Sequence, residues 1–202
     1  MTPLCELARL HQTDKGGNHY RYGGGDSDTC HNYCVHYHRL FEKLRMEPIN
    51  LLEIGINRGC SLNMWAEYFP YGHIIGIDSA AECLKGGSNS LINPTDERIV
   101  TFAADQNNPD QLRRAVGDRT FDIIIDDGSH EREHQLTSLR TLLPYLKPGG
   151  IYVVEDLGHT FNQWELMAPA HELGWLDGVI KVEGGLGKAA GVEWLYWVEC
   201  PQ

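Results

Sequence analysis

The stretch that decides the fold runs from residue 51 to residue 61 and reads LLEIGINRGCS. It joins a short apolar run to a glycine turn and to Ser61, a polar residue that we expect to cap a following helix. The two glycines would let the backbone approach a bound nucleoside closely. Their G-x-x-x-G spacing differs from the G-x-G-x-x-G of dinucleotide-binding proteins, so we do not predict a dinucleotide site.

Outward from this stretch, short β-branched runs alternate with amphipathic segments, as in βαβ units around a parallel sheet. The predicted strands cover residues 51–56, 73–78, 99–104, 121–126 and 150–155. The predicted helices cover residues 61–68, 80–84, 109–116, 131–146 and 163–173, and Pro148-Gly149-Gly150 marks the turn into the fifth strand. The continuous apolar character of the strands indicates burial on both faces.

The two ends of the chain have different patterns. Two strand-like runs, residues 179–183 and 193–198, flank a glycine-rich stretch and predict an antiparallel hairpin at the sheet edge. We therefore expect an α/β fold with a doubly wound, mostly parallel sheet of seven strands. Residues 1–48, with a predicted helix over 33–45, are expected to form a mobile lid or cap, and residues 49–202 the cofactor-binding domain of a single structural unit.

Charge and composition restrict the function classes. The 28 acidic and 17 basic residues among 202 give a net charge of -11. This field repels phosphate backbones, so nucleic acid is not an expected partner. The first residues lack the basic head and apolar run of a secretory signal, and no apolar stretch approaches a membrane span, so we expect a cytoplasmic protein.

The six cysteines contain no CxxC pair, and we expect free thiols in a reducing compartment. Residues 30–38 are rich in Cys and His, but they lack the paired short spacings of a zinc module. We interpret them as a polar loop that leads into a helix.

Acidic residues stand at the ends of the first three predicted strands. Glu53 lies beside the glycine turn, where a carboxylate would repel a pyrophosphate but attract a cationic ligand. Asp78 is placed to accept hydrogen bonds from ribose hydroxyls, and Asp105 to meet an adenine edge. The alternative is that these acids merely end strands and cap helices.

Four more carboxylates follow the fourth and fifth strands, at Asp126, Asp127, Glu155 and Asp156. Because the carboxyl ends of parallel strands share one edge of a sheet, we expect all four to converge. Crowded carboxylates repel one another unless a cation neutralises them, and oxygen ligands suit Mg²⁺. Asp127, Glu155 and Asp156 are therefore the candidate metal ligands.

His130 follows Asp127 by three residues and is the candidate general base, with Asp127 as its catalytic partner. A metal at the neighbouring carboxylates would first polarise a bound hydroxyl, and His130 would then accept its proton. The alternative is a tight turn in which Asp127 and Ser129 cap the next helix. His134 fits a packing role better, and His159 is a second candidate base.

Together these motifs resemble class I methyltransferases that use S-adenosylmethionine: E-x-G-x-x-x-G, an acidic end to the second strand and D-Q after the third. With Thr13-Asp14-Lys15 added, the chain resembles the metal-dependent sugar O-methyltransferases of macrolide and related antibiotic pathways. The resemblance implies Mg²⁺ on Asp127, Glu155 and Asp156 and His130 as the base. The cofactor-binding residues we expect are Thr13, Lys15, Glu53, Gly55, Gly59, Ser61, Asp78, Ser79, Asp105, Gln106 and Asp126.

The expected reaction is O-methylation of a sugar hydroxyl, on a rhamnose-like deoxysugar of a glycan or natural product. One alternative acceptor is a catechol or another vicinal diol, which Mg²⁺ would also bind. A second alternative is that the chain is a non-catalytic cofactor-binding module of a larger glycan-assembly protein. Gly158 departs from the family pattern, which puts a role for His159 in doubt, and both a homo-oligomer and one domain of a larger protein remain open.

Overall fold

The computed structural model describes residues 2–16, 30–157, 163–183 and 192–202. The strands are β1 (Asn50–Ile54), β2 (His73–Asp78), β3 (Ile99–Ala103), β4 (Phe121–Asp126), β5 (Leu146–Val154), β6 (Leu176–Glu183) and β7 (Val192–Glu199). The α-helices are α1 (Pro3–His11), α2 (Cys34–Phe41), α3 (Cys60–Tyr68), α4 (Pro109–Val116), α5 (Arg132–Leu142) and α6 (Gln163–Leu173). Short 3-10 turns cover Glu42–Leu44, Ala81–Cys83 and Leu143–Tyr145.

The seven strands form one sheet in the order β3-β2-β1-β4-β5-β7-β6. The first five strands are mutually parallel, whereas β7 lies antiparallel between β5 and β6. The predicted doubly wound sheet and its C-terminal hairpin are thereby confirmed. The strand order reverses between β1 and β4, and the crevice at such a reversal is where α/β sheets bind their ligands.

Side chains alternate between the two faces of the sheet, and each face carries its own apolar core. Leu51, Ile123 and Val153 pack with α1, α2 and α3 on one face. Leu52 and Ile124 pack with α4, α5 and α6 on the other. This alternation follows from the strand period of two residues, and it decides which layer each polar side chain at a strand end will face.

Several predicted boundaries were wrong, each for a local reason. The helix predicted over 80–84 is only the 3-10 turn Ala81–Cys83, and the helix predicted over 131–146 ends at Leu142, because Leu146 already belongs to β5. The Pro-Gly-Gly turn lies inside β5, where the pairing jumps from Phe121–Leu146 to Ile123–Ile151. That irregularity accommodates a proline, which cannot donate to a neighbouring strand.

Helix α3 begins one residue earlier than predicted. Gly59, at φ 82°, is its N-cap and leaves Ser61 in the first turn, so Ser61 is not the cap. The αL conformation of Gly59 turns the chain sharply and explains the shift.

Helix α1 was not predicted, although Thr2 caps it and Pro3 begins it. Leu4 of α1 and Phe41 of α2 are fully buried in the core shared with α3 and the sheet. The predicted helix over 33–45 is present as α2 and a 3-10 turn. Both described helices of the N-terminal segment thus contribute to the main core, while residue 1 and residues 17–29 of the expected lid lie outside the described residues, and the division at residue 48 stays a prediction.

The longest helices in the described ranges, α5 and α6, have 11 residues each. Within those ranges no helix has the length and apolar content that crossing a bilayer requires.

The turns after β1 and β4 touch at Gly55, directly at the reversal of strand order. Gly55 has φ 88°, and a Cβ built on it would lie 2.0 Å from the main-chain oxygen of Asp127. The amide of Asp127 in turn donates to the carbonyl of Ile54 at 2.9 Å. Backbone therefore packs against backbone here, and only glycine fits.

We expect Gly55→Ala to lower the free energy of unfolding by about 3 kcal/mol, because positive φ strain and a backbone clash add together. Gly86→Ala is the matched control, since Gly86 has φ 83° with no atom within 4 Å of its added Cβ. The control should lose about 1 kcal/mol from strain alone. Urea denaturation measures both, and equal losses would contradict the close approach of the two turns.

Candidate functional site

The alternation of side chains brings three carboxylates to one side of the sheet edge. Glu53 lies two residues after Leu51 and therefore on the same face of the sheet. In the same way, Asp127 follows Ile125 and Glu155 follows Val153. All of these side chains face the α1–α3 layer. The amide of Glu155 donates to the carbonyl of Asp126 at 2.9 Å, which keeps the ends of β4 and β5 level. Three acids on three adjacent strands thus meet at one point.

Lys15 lies among these three carboxylates. Its Nζ donates hydrogen bonds to Asp127 and to Glu155, the latter at 2.8 Å, and lies 3.4 Å from Glu53 Oε1. Lys15 is 1% exposed, and Glu53 and Glu155 are equally buried. Burying a carboxylate without a partner is costly, so the ammonium stabilises the group.

Two tyrosines at the start of α2 also donate hydrogen bonds to carboxylates of the cluster. The hydroxyl of Tyr37 donates to Glu155, and that of Tyr33 donates to Asp156. Tyr37 is held by stacking on Phe41 at 5.3 Å and by an edge contact with Trp65 at 5.5 Å between ring centroids. Its rigid ring fixes the hydroxyl against Glu155.

Asp156 and His130 form the more exposed side of the cluster. Both residues have positive φ, 53° and 59°, so both turns are bent tightly at these positions. His130 Nδ1 lies 3.5 Å from Asp156 Oδ2, and His31 Nδ1 lies 3.4 Å from Asp156 Oδ1. The side chain of His130 is 42% exposed, which leaves it accessible from solvent.

Burial and charge move the pKa values of the cluster in opposite directions. Burial raises the pKa of Glu53, Asp127 and Glu155, while Lys15 opposes that rise. Burial alone would lower the pKa of Lys15, but the surrounding carboxylates raise it well above its usual value. Partial burial would raise the pKa of Asp156, but hydrogen bonds and charge from His31, with help from Tyr33, lower it well below the usual range. Asp156 is therefore the acid of the cluster that is most readily ionised.

Asp126 does not join this cluster, so the expected convergence of four carboxylates was wrong for one of them. Its side chain faces the α4–α6 layer, where it accepts hydrogen bonds from Gln106 Nε2 at 2.6 Å and from the hydroxyl of Ser138. Gln106 Oε1 accepts from the amide of Ser129 at 2.9 Å. Burial raises the pKa of Asp126 to about 7. Adjacent residues of a strand point to opposite faces, which separates Asp126 from Asp127.

The predicted cofactor turn is arranged around Asp78. One oxygen of its carboxylate accepts from the amides of Ile56 and Asn57 at 2.9 and 3.2 Å, and the other from Ala80 at 2.8 Å. Ser61 donates to Glu53 Oε2 at 2.8 Å. These bonds hold the turn between β1 and α3. No side chain caps α3, so the first amide groups of this helix face the turn without a side-chain acceptor.

Ser79 and Asp105 lie exposed at the ends of β2 and β3, beside this turn. The carboxylate of Asp105 accepts from the amide of Asn107 at 2.8 Å. Thr13 is buried near Lys15. With Asp78 at the next strand end, the polar groups border one open edge, which suits a nucleoside above the glycine turn. The cofactor-binding roles of these residues stay predictions.

Two overlapping sets of side chains among the described residues have ligand atoms close enough to share a cation. One is the buried set Glu53, Asp127 and Glu155, where Glu53 Oε1 has no hydrogen-bond partner among the described residues. The other is the accessible set Asp127, His130 and Asp156. Oxygen-rich sets of this kind fit Mg²⁺, and Asp127 belongs to both. Of the predicted ligands, Asp127 and Asp156 fall in one set and Asp127 and Glu155 in the other, and the three do not form a single set among the described residues.

Other candidate residues lie outside the cluster or outside the described residues. His134 Nδ1 is 2.8 Å from the hydroxyl of Ser129, and its packing role stays a prediction. His159 falls among residues that the structure does not describe. Cys30 and Cys34 are buried, and neither belongs to the two sets described above.

Sequence reasoning missed the contribution of the N-terminal segment to the carboxylates. Lys15 was expected at the cofactor, and His31, Tyr33 and Tyr37 were assigned no role. The one available signal was the four-residue spacing of Tyr33 and Tyr37, which places both on one side of a helix start.

Comparison with known proteins agrees with this geometry. Residues 52–157 match the family described as "Methyltransferase domain". Demethylmacrocin O-methyltransferase of Streptomyces fradiae is 41% identical over 162 residues, which cover 76% of this chain and 36% of that protein. A rhamnosyl-tetracenomycin 3'-O-methyltransferase of Streptomyces olivaceus is 38% identical, with the same coverage of 76% and 36%. The chain therefore spans about a third of the length of these relatives.

A solved structure of MycE methyltransferase from the mycinamycin pathway, in complex with Mg, SAH and mycinamycin VI, is 26% identical to this chain with a TM-score of 0.71. The match covers 100% of this chain and 54% of that one. The resemblance inferred from the E-x-G-x-x-x-G turn and the strand-end acids is confirmed. On the match over residues 52–157, the chain belongs to the methyltransferase domain family.

Proposed function

We propose that this protein transfers a methyl group from S-adenosylmethionine to a sugar hydroxyl, with Mg²⁺ at Asp127, Glu155 and Asp156. The observation that carries the proposal is the accessible set of Asp127, His130 and Asp156, a base beside metal-type ligands at the reversal of strand order. Relatives named for O-methylation of rhamnosyl and macrolide compounds support a rhamnose-like acceptor on a glycan or natural product. The whole reaction is proposed because this chain spans only part of those relatives.

When bound, S-adenosylmethionine would supply the methyl group, and Mg²⁺ would polarise the acceptor hydroxyl as a Lewis acid. His130 takes the hydroxyl proton at Nε2, since its Nδ1 faces Asp156 at 3.5 Å. The carboxylate of Asp156 orients the ring and stabilises the imidazolium that forms. The positive φ of His130 turns its side chain toward the cluster and contributes to this alignment.

The cofactor would lie above the glycine turn, along Asp78, Ser79 and Asp105. Asp78 holds the turn closed through the amides of Ile56 and Asn57, and its carboxylate would also accept hydrogen bonds from the ribose. Glu53, which pairs with Lys15 in the buried part of the cluster, would contribute negative charge near a cationic donor. Gly55 lets the turn after β4 approach at Asp127, and Gly59 leaves room for Ile92, so both glycines fix the shape of this turn. Residues 1–48 would cap the site, and a cytoplasmic location remains a prediction.

Methyl transfer from labelled S-adenosylmethionine to matched panels of glycosides and catechols, with Mg²⁺ or with a chelator, tests the proposal. We expect label only in glycosides, and only with Mg²⁺ present. Label confined to catechols would favour the vicinal-diol alternative. Cofactor uptake without transfer to either panel would favour a non-catalytic module, and transfer that a chelator leaves unchanged would remove the metal from the reaction.

His130→Ala should lower kcat by about 100-fold to 10,000-fold, because a general base contributes a factor of that size. Binding of S-adenosylmethionine, measured by calorimetry, should be unchanged. His171→Ala is the control, since His171 also faces a carboxylate, Asp177 at 3.1 Å, but at the start of β6. A His130 variant as active as the His171 variant would exclude His130 as the base.

Mg²⁺ should raise Tm more at about pH 8 than at about pH 5, because metal ligands must be deprotonated. In the metal-free protein, burial raises the pKa of Asp127 and Glu155. Above the ordinary carboxylate pKa, the folded protein therefore keeps protons that the unfolded chain has released, and its stability falls as pH rises through that window. Mg²⁺ displaces those protons and opposes the fall. Thermal melts with Mg²⁺ or with EDTA measure this rise in Tm. The Asp127→Asn variant should not show it. A rise in Tm that does not depend on pH would argue against these ligands.

A further inference from the structure

Lys15 is held among the carboxylates by its own backbone as well as by its ammonium. Residues 14–16 pair with the start of α2: the carbonyl of Asp14 accepts from His31 at 2.8 Å, and that of Lys15 accepts from Cys34 at 3.1 Å. The side chain then reaches inward to Asp127 and Glu155. Its position is therefore fixed at both ends.

The ammonium divides the acidic cluster into two halves. On the buried half it lies between Glu53, Asp127 and Glu155, three carboxylates against one positive charge. On the accessible half, Asp127 meets His130 and Asp156 without Lys15. Lys15 is the one lysine among the described residues that forms ion pairs with these carboxylates.

Electrostatics favours a charged Lys15 in this position. A buried ammonium without partners is costly, but Lys15 Nζ donates to Asp127 and lies 2.8 Å from Glu155 and 3.4 Å from Glu53, so three carboxylates compensate its charge. Removing one member of a buried ion group leaves uncompensated charge, which is strongly destabilising. The same charge, a few ångströms from Asp127, also repels any cation that enters the accessible half.

We propose that Lys15 is a positioning residue, a built-in counter-ion on the buried side of Asp127 and Glu155 that directs a divalent ion to the accessible side of the cluster, at Asp127, Glu155 and Asp156. The role in metal placement rests on the proposed Mg²⁺-dependent function. The counter-ion role concerns the metal-free protein and stands apart from it.

The first test is a double-mutant cycle in EDTA at about pH 8, where the carboxylates are ionised outside the protein. Lys15→Met keeps the length of the side chain and removes the charge, and we expect Tm to fall by about 10 °C. Adding Glu53→Gln, which removes one carboxylate, should recover at least half of that loss. Strict additivity of the two changes, or failure of both the single and the double variant to fold, would assign Lys15 to packing and overturn the proposal.

The second test measures binding of Mn²⁺, as a spectroscopic substitute for Mg²⁺, to the folded variants. Without the fixed positive charge, Lys15→Met, or Lys15→Met/Glu53→Gln if only the double variant folds, should bind Mn²⁺ more tightly than its Lys15 parent, by about tenfold. Lys147→Met is the matched control, because Lys147 pairs with Asp122 at 2.6 Å at the opposite end of the sheet strands. Its Mn²⁺ affinity should equal that of the wild type. Equal or weaker binding after loss of Lys15 would overturn the directing role.

The two proposals fail separately. Wild-type protein that binds no Mn²⁺ and transfers no methyl group contradicts the proposed function and the directing role, while the EDTA cycle still decides whether Lys15 is the counter-ion. Wild-type protein that is active with Mg²⁺, combined with an additive cycle, keeps the proposed function and rejects Lys15 as a counter-ion.

Discussion

Three carboxylates at neighbouring strand ends, two of them buried, can lie together only because an ammonium lies among them. Glu53, Asp127 and Glu155 are required at this edge by the strand register, and their mutual repulsion would otherwise drive them apart or protonate them. Lys15 resolves this conflict from outside the sheet. The N-terminal segment is consequently part of the electrostatic structure of the site, in addition to its helices being part of the core.

The sheet was largely predictable, because apolar runs of strand length and the helices between them are local signals. Helices α4 and α6 begin and end where their patterns predicted. The errors arose where two signals overlapped: Leu146 continues the apolar period of α5 but pairs with Phe121 as the start of β5. Tertiary pairing overrides local periodicity at such junctions. Helix α1 was missed although its cap and proline were readable.

The site was predictable to the extent that it lies at strand ends. Asp127, His130, Glu155 and Asp156 were identified because parallel strands bring their ends together. The partners of these acids come from far away in the chain: Lys15 lies 112 residues from Asp127 and 140 from Glu155, and Tyr37 lies 118 from Glu155. No local pattern encodes such pairings. The separation of Asp126 from Asp127, by contrast, follows from strand alternation and could have been anticipated.

The antiparallel insertion of β7 next to β5 has a consequence for how the protein is made. Residues 151–154 of β5 find their second partner only in residues 196–199 of β7. On the ribosome, the strand that leads into Glu155 and Asp156 therefore stays an unprotected edge for some forty residues of further synthesis. During that interval the open edge of β5 can pair with other chains, and chaperones that recognise apolar edges would find a target there.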